Sequence, residues 1–184
     1  MLGKRIFDII LSFTLLVILF VPMCLLWFIT SISIGSNGIF LQTRIGQHGK
    51  SFTMYKYKTI YADSGKTSKW GAFLRKTKLD ELPQLLNILI GEMSFVGPRP
   101  DLPGYYDRLE GEQRNILKLK PGVTSEAALK YINEEQLLAS KENPKQYNDE
   151  VIYPDKIKMN LEYYHTRSFL VDLNILIKTI QKLV

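Results

Sequence analysis

The sequence predicts an α+β fold, predominantly α, on three observations. An apolar N-terminal run of membrane length contains Pro22, one alternating stretch of hairpin type lies between Ile39 and Tyr61, and apolar residues recur at helical spacing in several short later segments. With 184 residues, 46% of them hydrophobic, the chain is large enough for one compact domain beside a membrane element. The division expected is a membrane helix over residues 1–36 and a membrane-associated domain over residues 37–184.

From Ile6 to Ile34 the chain is apolar except for Asp8 and a few Ser and Thr. That exceeds the roughly 20 residues needed to cross a bilayer. It is also longer than the apolar core of a cleaved signal peptide, and no small-x-small cleavage site precedes the polar sequence. Pro22, near the middle, removes one backbone hydrogen bond and its ring meets the carbonyl four residues earlier, so a kink is expected there. Lys4 and Arg5 before the run favour a cytoplasmic N-terminus. Two topologies follow: a straight span that places the later residues outside the cell, or a bent helix that enters and leaves by one face.

Phe40 to Ile45 and Phe52 to Tyr57 flank Gly46-Gln47-His48-Gly49-Lys50 and predict a β-hairpin with a glycine-containing loop. Arg44, Lys56 and Lys58 bring positive charge to it. Asp63 to Trp70 is polar and predicts a surface loop. Leu82, Leu85, Leu86 and Leu89 follow helical spacing, so one helix is expected from about Leu79 to Ile90, stopped by Gly91. Tyr105 to Lys120 predicts a short surface or interfacial helix before the Pro121-Gly122 turn, and Asn133-Glu134-Glu135 a capped helix start. Phe169, Leu173, Leu176, Ile177, Ile180 and Val184 share one helical face, which suits either core packing or an amphipathic helix on a membrane.

A net charge of +6 and a pI near 9.3 suit nucleic acid, anionic lipid or phosphorylated substrates alike. The single cysteine, Cys24, lies in the apolar run, which excludes an intrachain disulfide and fits a small packing group. His48 and His165 are far apart in sequence, and no phosphate-binding glycine loop, dinucleotide fingerprint or zinc-ligand spacing occurs.

The chemistry concentrates in Leu79-Asp80-Glu81-Leu82-Pro83-Gln84 and Phe95-Val96-Gly97-Pro98-Arg99-Pro100. At a helix start, unpaired N–H groups and the positive dipole end would keep Asp80 and Glu81 ionised and would draw phosphate to the same place. Two carboxylates and a phosphate repel one another, so a divalent cation is expected, most naturally Mg²⁺ on Asp80 and Glu81. An ionised carboxylate also attacks phosphorus directly, which makes Asp80 a candidate nucleophile. Simple helix capping is the competing role for the pair. Arg75, five residues before Asp80, and Arg99, held between two prolines, have the fork geometry that matches phosphate oxygens, and Lys58 joins them as a candidate phosphate-binding group.

Five segments in this order resemble the bacterial sugar transferases, the monotopic phosphoglycosyl transferases: Phe73-Leu74-Arg75-Lys76, the Asp80 motif, Gly91-Glu92-Met93-Ser94, the Arg99 motif, and Lys120-Pro121-Gly122-Val123-Thr124. The resemblance covers nearly the whole chain. It implies transfer of a sugar-1-phosphate from a UDP-sugar to undecaprenyl phosphate with release of UMP, Asp80 as nucleophile, Glu81 as its catalytic partner, Mg²⁺ as cofactor, and Arg75 and Arg99 at the phosphate site. It further implies a membrane helix that is re-entrant, with the site on the cytoplasmic face of the bacterial inner membrane, membrane lipid as a partner and no nucleic acid. Homo-oligomerisation, the sugar and the pathway stay open.

The chain departs from the family pattern in two places. Val21 precedes Pro22 where the family often has Ser, so the break rests on proline alone, and Ser125-Glu126-Ala127-Ala128-Leu129 replaces a Gly and Gln-containing stretch. A second class of function, a membrane-anchored non-catalytic basic module that binds anionic lipid or nucleic acid, is motivated by the pI and the C-terminal stripe. Against it, no basic run interleaved with aromatics stands out.

Overall fold

The computed structural model describes residues 2–183, and the expected stripe residue Val184 lies outside them. The elements are α1 (Leu2–Ile18), α2 (Phe20–Ile34), β1 (Ile39–Ile45), β2 (Ser51–Tyr57), α3 (Lys69–Lys76), α4 (Gln84–Ile90), β3 (Ser94–Val96), β4 (Gly122–Thr124), α5 (Glu126–Lys130), α6 (Glu134–Ala139), α7 (Pro144–Tyr147), α8 (Tyr153–Thr166) and α9 (Phe169–Leu183). Strands β1 and β2 form one two-stranded sheet, β3 and β4 another. The fold is α+β and mostly helical, as the sequence predicts. The chain divides into two compact units, Met1–Arg44 with Ser51–Ser94, and Ile45–Lys50 with Phe95–Val184.

In the first unit, α1 and α2 meet at a 66° bend. The break falls between Ile18 and Phe20, and Ile18 carries the carbonyl four residues before Pro22, the one that proline leaves without a donor. Among the described residues no single helix is long and apolar enough to cross a membrane, whereas the bent pair passes that test together. Helix α1 is inside out by the standards of a water-soluble helix: Asp8 and Ser12 are buried, while Ile6, Ile10, Phe13 and Val17 are exposed. Cys24, expected as a packing group, is exposed on α2.

Arg5 does more than contribute charge before the apolar run. Its guanidinium donates to the carbonyls of Ile88 and Leu89, at 2.6 and 2.8 Å, and so satisfies the C-terminal end of α4. Helix α2 is fastened by Tyr57 Oη donating to the Met23 carbonyl (2.8 Å) and Trp70 Nε1 donating to Thr30 Oγ1 (2.9 Å). The hairpin β1–β2 forms where the alternation predicts it, and α3 occupies the end of the expected Asp63 to Trp70 loop.

In the second unit, two motifs that are separate in sequence become one element. Gly97 N donates to the Thr124 carbonyl (3.0 Å) and Gly122 N to the Pro98 carbonyl (2.9 Å). A Cβ on Gly97 would lie 2.3 Å from the Lys120 carbonyl oxygen and one on Gly122 2.1 Å from Gly97 N, so only glycine permits this approach. Val96, Leu129, Tyr163 and Ile175 form one core cluster here, and Ile45, Tyr106, Leu109, Ile116, Leu117 and Ile157 another.

That second cluster corrects the reading of Tyr105 to Lys120. The stretch is two 3-10 segments, Tyr106–Arg108 and Gly111–Lys118, which bury apolar residues in the core rather than one surface helix. Helix α6 starts where predicted, but Asn133 makes no capping hydrogen bond. The C-terminal stripe is mostly exposed: Phe169, Leu173, Ile177 and Ile180 face outward, Leu176 packs partly against the core, and α9 buries Ile175 and Asp172. Asp172 is acceptable inside because the Tyr163 hydroxyl donates to it.

Candidate active site

Asp80 belongs to the first unit, and the elements that carry its neighbours there begin with α3. Ser68 caps that helix, its Oγ accepting from Gly71 N at 2.8 Å. Gly71 lies against Thr59 so closely that a Cβ would sit 2.2 Å from the Thr59 carbonyl oxygen. One turn later Arg75 reaches the same residue, its Nε donating to Thr59 Oγ1 at 3.0 Å. The helix closes at Thr77, and Lys78 turns the chain with φ 57, a left-handed conformation that favours glycine.

The expected single helix from Leu79 to Ile90 is two pieces. Leu79–Glu81 is a 3-10 turn, and α4 begins only at Gln84, with Pro83 at its N-cap. The N–H groups of Glu81 and Leu82 donate to the carbonyls of Lys78 and Leu79, so the carboxylates do not sit over a row of unpaired helix donors. Gly91 ends α4 in the left-handed region as expected, at φ 98.

Both carboxylates are buried, Asp80 at 7% and Glu81 at 9% exposure. Burying charge is costly unless it is paired. Lys56 Nζ lies 3.2 Å from Glu81 Oε1 and is itself mostly buried. Strand β2, which carries Lys56, and α3, which carries Arg75, both pack against the carboxylate turn. Asn87, fully buried, holds β2 to α4: its Oδ1 accepts from Tyr55 N (3.1 Å), and its Nδ2 donates to the Thr53 carbonyl and to Glu92 Oε2 (both 2.7 Å).

Of the residues singled out in the sequence, Asp80, Glu81 and Arg75 thus occupy neighbouring elements of one unit. Lys58 Nζ is turned to Ser36 Oγ at 3.3 Å. Arg99 belongs to the second unit, exposed between buried Pro98 and Pro100. The partner of Glu81 is Lys56, a residue that the sequence marked only as part of a charged strand. Alternation puts Lys56 and Lys58 two apart, and periodicity alone does not say which one faces a carboxylate.

Among the described residues, no group of three or more His, Cys, Asp or Glu is placed to hold a metal. Two adjacent carboxylates are nevertheless a donor set that suits Mg²⁺, which typically takes one or two carboxylates and completes its shell with substrate phosphate and water. The second unit contains a cleft of about 790 Å³ lined by Tyr105, Arg108, Glu110, Glu112, Tyr153 and Leu161 among others, and by none of the candidate site residues.

The sequence matches the family model described as bacterial sugar transferase over residues 1–184. The chain belongs to the bacterial sugar transferase family. This transferase is 33% identical over 192 aligned residues to an uncharacterized sugar transferase, EpsL, of Bacillus subtilis, an alignment that covers 99% of this chain and 87% of that protein. It is 35% identical over 148 residues to the undecaprenyl-phosphate galactose phosphotransferase of Salmonella typhimurium, covering 66% of this chain and 31% of that one. With the UDP-glucose:undecaprenyl-phosphate glucose-1-phosphate transferase of Escherichia coli it shares 30% identity over 196 residues, 97% of this chain and 39% of the other. The transferase therefore spans less than half the length of these last two relatives, and most of EpsL. Family membership favours an enzyme over the non-catalytic basic module.

Proposed function

We propose that this transferase is a phosphoglycosyl transferase that moves a sugar-1-phosphate from a UDP-sugar to undecaprenyl phosphate and releases UMP. The observation that carries the reading is the buried Asp80–Glu81 pair, with Lys56 on Glu81 and with α3, the helix of Arg75, packed on the same turn. The Escherichia relative is named for UDP-glucose and undecaprenyl phosphate and the Salmonella relative for undecaprenyl phosphate, which supports these donor and acceptor classes.

In the first step an Asp80 carboxylate oxygen attacks the β-phosphorus of the UDP-sugar, and the bond to UMP breaks as UMP leaves with the electron pair. In the second, a phosphate oxygen of undecaprenyl phosphate attacks the phosphosugar on Asp80 and the carboxylate departs. Glu81, held by Lys56, assists as the partner carboxylate, and Arg75 orients phosphate oxygens. Arg99 and Lys58 are proposed as further phosphate contacts. Asp80 and Glu81 would hold Mg²⁺, which when bound neutralises diphosphate charge that the two carboxylates would otherwise repel.

The reaction belongs at a membrane, and the apolar surfaces support a place there. Exposed Ile, Phe and Val on the bent α1–α2 pair and the exposed stripe of α9 suit lipid. The proposal is a re-entrant helix pair in the bacterial inner membrane, with the site on the cytoplasmic side, where it meets UDP-sugar.

The test is trapping. Wild-type protein incubated with UDP-sugar alone should acquire the mass of a phosphosugar, and Asp80→Asn should acquire none and lose turnover. Near-normal turnover in that variant would remove Asp80 as nucleophile. Chelation with EDTA should stop UMP release, and added Mg²⁺ should restore it; release that persists in EDTA would remove the metal.

A further inference from the structure

From Leu79 to Ile90 the backbone stays right-handed: the 3-10 turn is followed by Leu82 (φ −53, ψ −37) and Pro83 (φ −60, ψ −17), then by α4. Residues three and four apart on such a segment are neighbours. Gln84 therefore lies about one turn after Asp80 and Glu81 on the same segment. It is 2% exposed, and its Nε2 is buried without a hydrogen-bond partner among the described residues. One turn on, Asn87 is equally buried but uses both ends of its amide to hold β2 and Glu92. An amide donor buried with no acceptor destabilises the protein that carries it, and native folds keep few of them. Asn87 is accounted for by architecture; the Gln84 donor is not.

Resting on the reading of Asp80 as nucleophile, we propose that the Gln84 carboxamide donates a hydrogen bond to a non-bridging oxygen of the phosphoryl group in transfer. That oxygen is carried on the β-phosphate of the UDP-sugar and comes within reach of Gln84 as the bond from Asp80 to phosphorus forms and UMP leaves. It departs when undecaprenyl phosphate displaces the carboxylate. Because the acceptor is delivered on a side chain one turn away, Gln84 needs no opening to bulk solvent. An interaction made to the phosphoryl group in transfer and not to the bound UDP-sugar before transfer acts on kcat rather than on uniform binding.

The experiment uses the full chain with Gln84→Met, which keeps an unbranched side chain of similar length and removes the donor, and Gln84→Leu as a second variant should the first fold poorly. The expected result is a Tm equal to or above wild type, since an unpaired polar group has been replaced by apolar atoms. Adduct formation and kcat should fall about tenfold or more with KM nearly unchanged. The loss should be the same for UDP-sugars that differ only in the sugar. A Tm lowered by several degrees with kcat intact would assign Gln84 to the fold, through a buried water. Unchanged kcat, a rise in KM alone, or a loss that depends on the sugar would each overturn the phosphoryl contact. If Asp80→Asn is inactive while both Gln84 variants behave as wild type, only the Gln84 inference falls. Turnover retained in Asp80→Asn removes both.

Discussion

At Lys78 the chain takes a left-handed turn that costs an L-residue on the order of 1–2 kcal/mol, and it does so two residues before Asp80. Strain of this kind persists where surrounding structure dictates it. Here the exit from α3 must reverse within one residue for the 3-10 turn to present both carboxylates. Lys78→Gly should therefore stabilise the protein by about 0.5–1 kcal/mol, the strain relieved being partly offset by the greater backbone entropy of glycine in the unfolded chain. Urea unfolding would read the change, and a lower midpoint would argue against strain at this position. Single residues also mark how far local reasoning reaches. Asp80 and Glu81 stand out by type and adjacency alone, whereas Lys56 becomes their neighbour only through the docking of β2, a contact that spans 25 residues of chain.

Among the elements, α3 decides where Arg75 sits. Its position depends on Gly71, since any side chain there would meet the Thr59 backbone. Gly71→Ala should push α3 away, weaken the Arg75–Thr59 hydrogen bond, and cost about 1–3 kcal/mol as an overpacked contact does. The expected readings are a lowered Tm together with a raised KM for UDP-sugar; a Tm loss with KM unchanged would separate Arg75 from donor binding. The split of the Leu79 to Ile90 segment has a similar origin. Apolar spacing alone does not distinguish a 3-10 turn from an α-helix, and Pro83, which lacks an N–H, falls at the junction. Strands β3 and β4 were hidden for another reason: three residues each, they are too short to show alternation, and glycine contacts between distant motifs define them.

For the whole molecule, the proposed re-entrant topology depends on the bend between α1 and α2. Asp8 and Ser12 are buried while Ile6, Ile10, Phe13 and Val17 of α1 face outward, which suits a lipid surrounding. Pro22→Ala restores the missing donor and should straighten the pair, so that a fraction of molecules places the later residues on the far side of the membrane. Protease protection of a C-terminal tag in inside-out vesicles measures this. A tag as accessible as in wild type would show that the bend does not depend on Pro22.

The sequence by itself determined the bend, the hairpin and the carboxylate pair, because each depends on backbone chemistry or residue type within a few positions. It also carried enough ordered motifs to point to the sugar transferase family. Only the tertiary structure decided that Lys56 meets Glu81, that Arg5 closes α4, that most of the α9 stripe faces outward, and that Gln84 is buried with its donor unused among the described residues. These are choices of partner and of facing side, set by how elements distant in sequence pack, and no local periodicity records that packing.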